Sequence, residues 1–123
     1  MTISEVINRI DALKPNAYTI GEKIAWLSEI EGKIKKEIVD THEGAGETEF
    51  NGYDDSTPLT TSLIAKAPYD DVYTHYICAQ IDYTNGEFKK YENSMGMFNA
   101  AYSTFERAYN REHMPKGKHF KYF

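Results

Sequence analysis

His75 and Cys78 stand three residues apart in a stretch of helical apolar spacing, so a base and a thiol could share one helix face. Nucleophilic catalysis also needs a group to orient the base and donors for the developing oxyanion. The sequence names neither, and a lone cysteine among helical aromatics is more simply a small core hydrophobe. His42 precedes Glu43, Glu47 and Glu49, a donor set that a hard cation could use. The regular Asp/Asn spacing of a calcium loop is missing, and a solvated acidic loop is the simpler reading. Asp54-Asp55 and Asp70-Asp71 are paired carboxylates, yet adjacent residues on a helix point apart. The second pair reads as negative charge in the first turn of a helix. No histidine pair shows the four-residue spacing of a helical zinc site, and no glycine-rich phosphate loop occurs. No catalytic residue, cofactor or metal is therefore expected.

The remaining chemistry is adhesive. Residues 116–123 carry Lys116, Lys118 and Lys121 among Phe120, Tyr122 and Phe123. Lysines interleaved with aromatics suit single-stranded nucleic acid, by charge and stacking. On a chain of net charge -5, docking onto protein is the better reading, including addition as a strand to a sheet edge.

Four helices can position these groups. Thr2 to Glu5 is a capping box that opens a helix over about residues 3–14, with Ile3, Val6, Ile7, Ile10 and Leu13 on one face and Pro15 after it. Thr19 to Glu22 repeats the box before a second helix over about 20–40. Its Ile24, Leu27, Ile30 or Glu31, Ile34 and Ile38 form a stripe, with Lys23 and Lys35 expected mostly on other faces. The loop 41–68 has glycines, prolines and five acids, with no Lys or Arg between Lys36 and Lys66; its Thr60 to Ala65 stretch suits a short strand. A third helix, about 69–85, buries Val72, Tyr73, Tyr76, Ile77, Gln80, Ile81 and Tyr83, and Asn85-Gly86 stops it. The fourth, about 87–112, carries the clearest stripe: Phe88, Tyr91, Met95, Phe98, Tyr102, Phe105 and Tyr109. At roughly 39 Å it needs cover along its length, which makes its hairpin with the third helix the expected centre of the molecule.

These elements predict one all-α domain over residues 1–123, a four-helix antiparallel bundle of two helical hairpins, with short strands allowed in the loop and in the tail 113–123. An apolar content of 41% suits a packed core, and no run approaches the ~20 residues that span a bilayer. A single cysteine and no signal-like first segment point to a reducing cytoplasm. Ten tyrosines suit surfaces that a partner half buries.

Several segments together resemble a group of small proteins of phages and prophages of Gram-positive bacteria, encoded among head-assembly and head-to-tail joining genes. They are residues 3–13, Ile24-Ala25-Trp26-Leu27-Ser28-Glu29, Thr41-His42-Glu43-Gly44, Ala67-Pro68-Tyr69-Asp70-Asp71-Val72-Tyr73, and Asn93-Ser94-Met95 to Tyr102. The resemblance implies a non-enzymatic head-tail connector, or adaptor, of the virion, assembled in the host cytoplasm as a homo-oligomeric ring beneath the portal protein. Other head-tail proteins would be partners, and packaged DNA would pass through the channel without specific binding. It implies no membrane and no catalytic residues. Candidate assembly contacts are Glu43, Glu47, Glu49, Phe50, Tyr53, Asp54 and Asp55 in the loop, as lumen wall or intersubunit arm, and Lys118, Phe120, Lys121, Tyr122 and Phe123 in the tail. The alternative is a small helical regulatory or interaction module, dimeric through the face running from Phe88 to Tyr109.

Overall fold

The computed structural model describes residues 1–42 and 50–113. It contains four helices, α1 (Ile3–Leu13), α2 (Ile20–Glu37), α3 (Asp71–Thr84) and α4 (Phe88–Glu112), and no strand among the described residues. The class is all-α, a four-helix bundle, as the periodicity implies.

The caps form as their chemistry requires. The Glu5 amide donates to the Thr2 hydroxyl at 3.2 Å and the Thr2 amide to the Glu5 carboxylate at 2.8 Å, so both arms of the first box close. At Thr19 only the forward arm is present: the Glu22 amide reaches the Thr19 hydroxyl at 3.1 Å, and that hydroxyl lies 3.3 Å from the Glu22 carboxylate. The α-helix stops at Glu37, short of residue 40, and a 3-10 turn follows at Val39–Thr41. The Thr41 amide and hydroxyl and the His42 ring all converge on the Ile38 carbonyl, which a continuing α-helix would have used for the His42 amide.

Helix α3 lies at the centre. Val72, Tyr73, Thr74, Ile77, Ala79, Ile81 and Asp82 are all buried, more than one face of a helix can supply, because α1, α2 and α4 each pack against it. Contacts between α3 and α4 run in opposite order along the two helices, Tyr83 with Tyr91, Asp82 with Ser94 and Tyr76 with Phe98, and Tyr69, just before α3, continues the order with Phe105. Those between α2 and α3 do likewise, Glu29 with Tyr76 and Glu31 with Tyr73, and Tyr18 before α2 meets Asn85 after α3. Gly86, at φ +77°, makes the tight turn into α4; an added Cβ there meets no atom within 4 Å, so backbone conformation alone favours glycine.

Four expectations are corrected by this arrangement. The hairpin of α3 and α4 is the closest-packed pair, as expected, but the aromatic stripe of α4 is not covered along its length: Phe98 and Phe105 are buried, Tyr91, Met95, Tyr102 and Tyr109 are half-buried, and Phe88 is exposed. Leu13 and Tyr83 stand exposed at the last turns of α1 and α3, where Tyr83 meets only the rings of Phe88 and Tyr91 at its edge. Lys23 and Lys35 are buried, since each lays its alkyl stem on the core and pairs its ammonium with an acid, Asp11 and Asp40 respectively. The stretch from Thr60 to Ala65 forms no strand, with a turn at Thr60 and bends at Ile64 and Ala65. Its neighbour is the first turn of α1, which offers only the Ile3 amide to Thr61 and the Met1 carbonyl to Leu63 before it coils, leaving one bridge between Thr2 and Ser62.

Candidate functional site

Glu31 is fully buried on the apolar stripe of α2. Its carboxylate accepts from the Tyr73 hydroxyl at 2.6 Å, the Tyr53 hydroxyl at 2.9 Å and the Ile64 amide at 2.9 Å. The Tyr73 hydroxyl in turn accepts the Ala65 amide at 2.8 Å. One acid therefore ties the segment before α3 to both α2 and α3. Burial pushes the Glu31 carboxyl above its ordinary range, against the lowering effect of its three donors. Both tyrosine hydroxyls are raised as well, first by burial and then by the adjacent carboxylate. With both carboxylate oxygens engaged by the chain, Glu31 holds structure together. The sequence shows it only as an acid where the stripe calls for an aliphatic residue; its partners lie 22 to 42 residues away.

A second polar contact closes the other end of the bundle. His42 is buried; one ring nitrogen meets the Ile38 carbonyl and the other lies 2.7 Å from the Asn110 side-chain oxygen. Its ring stands edge-on to Tyr109 at 4.7 Å, and Tyr109 stacks on His113 at 3.9 Å. His42 thus joins the end of α2 to the end of α4, and both its nitrogens already have partners in the chain. That removes it from the cation site considered with Glu43, Glu47 and Glu49, which lie outside the described residues. Among the described residues no three His, Cys, Asp or Glu side chains gather as metal ligands.

The candidate assembly residues divide. Phe50 and Tyr53 pack edge-to-face at 4.9 Å against α2, where the Tyr53 amide donates to Ser28. Both are half-buried in the subunit's own packing. Asp54 is exposed and closes a local turn, its carboxyl held below the usual range by bonds from Ser56. Asp55 is exposed beside Gly21, where an added Cβ would come within 3.1 Å of its carboxylate. Lys118, Phe120, Lys121, Tyr122 and Phe123 lie outside the described residues.

His75 and Cys78 have different surroundings. His75 lies 3.8 Å from Asp71 on its own helix and borders an open groove of about 400 Å³ between α3 and α4, with Tyr69, Met97 and Thr104. Cys78 does not line that groove; it is half-buried, and burial pushes its thiol up, away from the reactive thiolate. No hydrogen bond joins the two among the described residues.

The exposed apolar side chains show the clearest organisation. Leu13 and Ile20 flank the link between α1 and α2, and Tyr83 and Phe88 flank the turn between α3 and α4. Link and turn meet: the Lys14 ammonium is 2.7 Å from Asp82, and the Tyr18 hydroxyl donates to Asn85. One end of the bundle therefore carries four exposed apolar side chains among the charged Lys14, Glu87, Lys89 and Lys90, and His42, Asn110 and His113 lie at the opposite end. No protein-family model, curated protein or solved structure matches the chain. Among the described residues no helix is long and apolar enough to cross a membrane.

Proposed function

We propose that the protein is a non-enzymatic structural subunit, a phage head-tail connector that assembles as a ring beneath the portal protein. The observation that supports this reading best is the polarity of the subunit. The two chain segments of strongest charge bias, acidic after His42 and basic after His113, both leave the helical body at the His42–Asn110 contact. The other end carries exposed Leu13, Ile20, Tyr83 and Phe88. A subunit with different ends suits head-to-tail association, which closes into a ring when the rotation between copies allows it. Acidic segments lining such a ring would repel phosphate and let DNA slide.

The resembling segments support a shared framework. Ile24 to Glu29 lies on α2, Ala67 to Tyr73 leads into α3 and carries the hydroxyl that meets Glu31, and Asn93 to Tyr102 is the part of α4 that packs on α3. In this reading the helical body holds the two charged segments in place, the protein belongs to the virion, and its partners are further copies of itself and the portal. The test is genetic and physical together. The reading requires a portal or major capsid gene beside this one and binding to that portal protein. A gene neighbourhood without head genes, with no portal binding, overturns it.

A further inference from the structure

We infer that Glu31 and Tyr53 form a proton-operated latch on the strap of residues 50–55, which carries the candidate assembly contacts Phe50, Tyr53, Asp54 and Asp55. The strap lies along α2 and runs against its direction. A Cβ added at Gly32 would touch the Phe50 ring at 3.7 Å, the Tyr53 amide donates to the Ser28 hydroxyl at 2.9 Å, and the Asp55 carboxylate reaches Gly21. Gly52, at φ +92°, brings the backbone so close that an added Cβ would stand 3.2 Å from the Ser28 hydroxyl. The Tyr53 hydroxyl then carries the strap inward to the buried Glu31.

The hydrogen count decides which bond yields. Around an ionised Glu31 every hydrogen is spent: Tyr73 donates to Oε1, Tyr53 and the Ile64 amide donate to Oε2, and the Ala65 amide donates to the Tyr73 oxygen. A proton taken up from water needs an acceptor of its own. The Tyr73 oxygen is filled by Ala65 and fully buried, so turning its hydrogen away would leave that hydrogen without a partner. The Tyr53 oxygen accepts no bond among the described residues, and its ring is half-buried, so its hydrogen can swing outward. The proton therefore settles on Oε2, and Oε1 stays the carbonyl that Tyr73 needs. Tyr53 exchanges a charge-assisted bond for a neutral one, about half as strong. The strap loosens while Tyr73 and Ala65 keep their bonds.

The surroundings give the direction in pH. Burial favours the proton on Glu31, and the charge set against it is the Lys66 ammonium, held on the Leu63 carbonyl. Lys35, one turn along α2, is turned to Asp40, and burial with the adjacent carboxylate keeps both tyrosine hydroxyls protonated. Glu31 takes its proton as pH falls through a value above its ordinary 4.5, so the latch is closed on the alkaline side of that value and loose on the acid side. Asp54 is held below its usual range by bonds from Ser56, so its turn responds in a separate, more acid window. Freeing Phe50 and Tyr53 puts assembly residues under the control of pH. That use rests on the connector reading; the latch itself does not.

The test reads one amide of the full-length chain with no partner present. Carboxyl carbon-13 shifts follow Glu31 from about pH 8 to about pH 4, and protection factors, corrected for the intrinsic exchange rate at each pH, follow the amides of Tyr53 and Ala65. As Glu31 takes its proton, protection at Tyr53 falls about tenfold and that at Ala65 stays within about twofold. In Tyr53→Phe, whose ring still packs on Phe50, the amide at that position shows the low protection at every pH. Unchanged protection at Tyr53 across the Glu31 titration overturns the inference. So does a parallel loss at Ala65, a step that survives in Tyr53→Phe, or a Glu31 that stays ionised down to its ordinary 4.5. Portal binding is measured separately: a latch that opens in a chain that binds no portal loses its purpose alone, and portal binding by a chain whose Tyr53 protection never changes removes the latch alone.

Discussion

Removing one hydroxyl from the buried network should cost more than any surface change. Tyr73→Phe deletes the group that donates to Glu31 at 2.6 Å and accepts the Ala65 amide at 2.8 Å, leaving ring packing intact. Tyr73 and Ala65 are both fully buried, so water cannot replace either bond. Leaving the Ala65 N–H without an acceptor costs about 1–3 kcal/mol, and the lost bond to a carboxylate adds about 1 kcal/mol or more. The expected loss is about 2–4 kcal/mol, read by urea unfolding followed by far-ultraviolet circular dichroism. At roughly 3 °C per kcal/mol for a chain of this size, the melting temperature falls by about 6–12 °C. Tyr53→Phe is the internal control: its half-buried hydroxyl makes one bond to the same carboxylate, and its loss should cost about 1 kcal/mol. A Tyr73→Phe loss below about 0.5 kcal/mol, or one no larger than that of Tyr53→Phe, would refute the claim that Glu31 and Tyr73 tie the long segment to the helices.

Other changes have defined outcomes. Because burial raises the folded-state pKa of Glu31 above its ordinary 4.5, the folded chain holds its proton where the unfolded chain has lost it. This contribution to stability is fully present below about pH 4.5 and is lost as pH rises through the folded value. Stability of the wild type relative to Glu31→Gln should therefore fall across that window, and a difference independent of pH would count against the assignment. Asn110→Ala leaves the buried His42 ring nitrogen without its partner, should cost about 1–3 kcal/mol, and should speed amide exchange at residues 39–42 more than in α1. Gly86→Ala places a β-carbon at φ +77° without a clash, so a loss of about 1–2 kcal/mol with unchanged spectra is expected; no measurable loss would mean that the turn relaxes.

Helix positions were legible because caps and periodicity are local: the Thr2 box, the α1 stripe and the Asn85-Gly86 stop each depend on residues within a turn or two. Rank among the helices was not. The stripe of α4 is the most regular in the sequence, yet α3, with its lower contrast between faces, is the buried one, because a helix surrounded by three others has no polar face to contrast. Lys23 and Lys35 misled for a related reason, since a long alkyl stem can cover core while its charge meets Asp11 or Asp40 outside the helix. The Glu31 and His42 contacts are not legible in the sequence because their partners are far along the chain: Tyr73 is 42 residues from Glu31, and Asn110 is 68 from His42. The grouping of exposed apolar side chains at one end is not local either. Leu13, Ile20, Tyr83 and Phe88 each read as ordinary helix-face residues until the fold brought the two turns together.

The central claim is a polar subunit that builds a ring on a portal. Its most direct measurement is sedimentation velocity of the full-length chain mixed with the purified portal protein of the same genome. The chain is expected to move with the portal as a complex of fixed stoichiometry, with several copies per portal ring. A chain that sediments as a free monomer beside the portal at every concentration up to roughly 100 μM, a range in which a contact of about 5–6 kcal/mol would be visible, contradicts it.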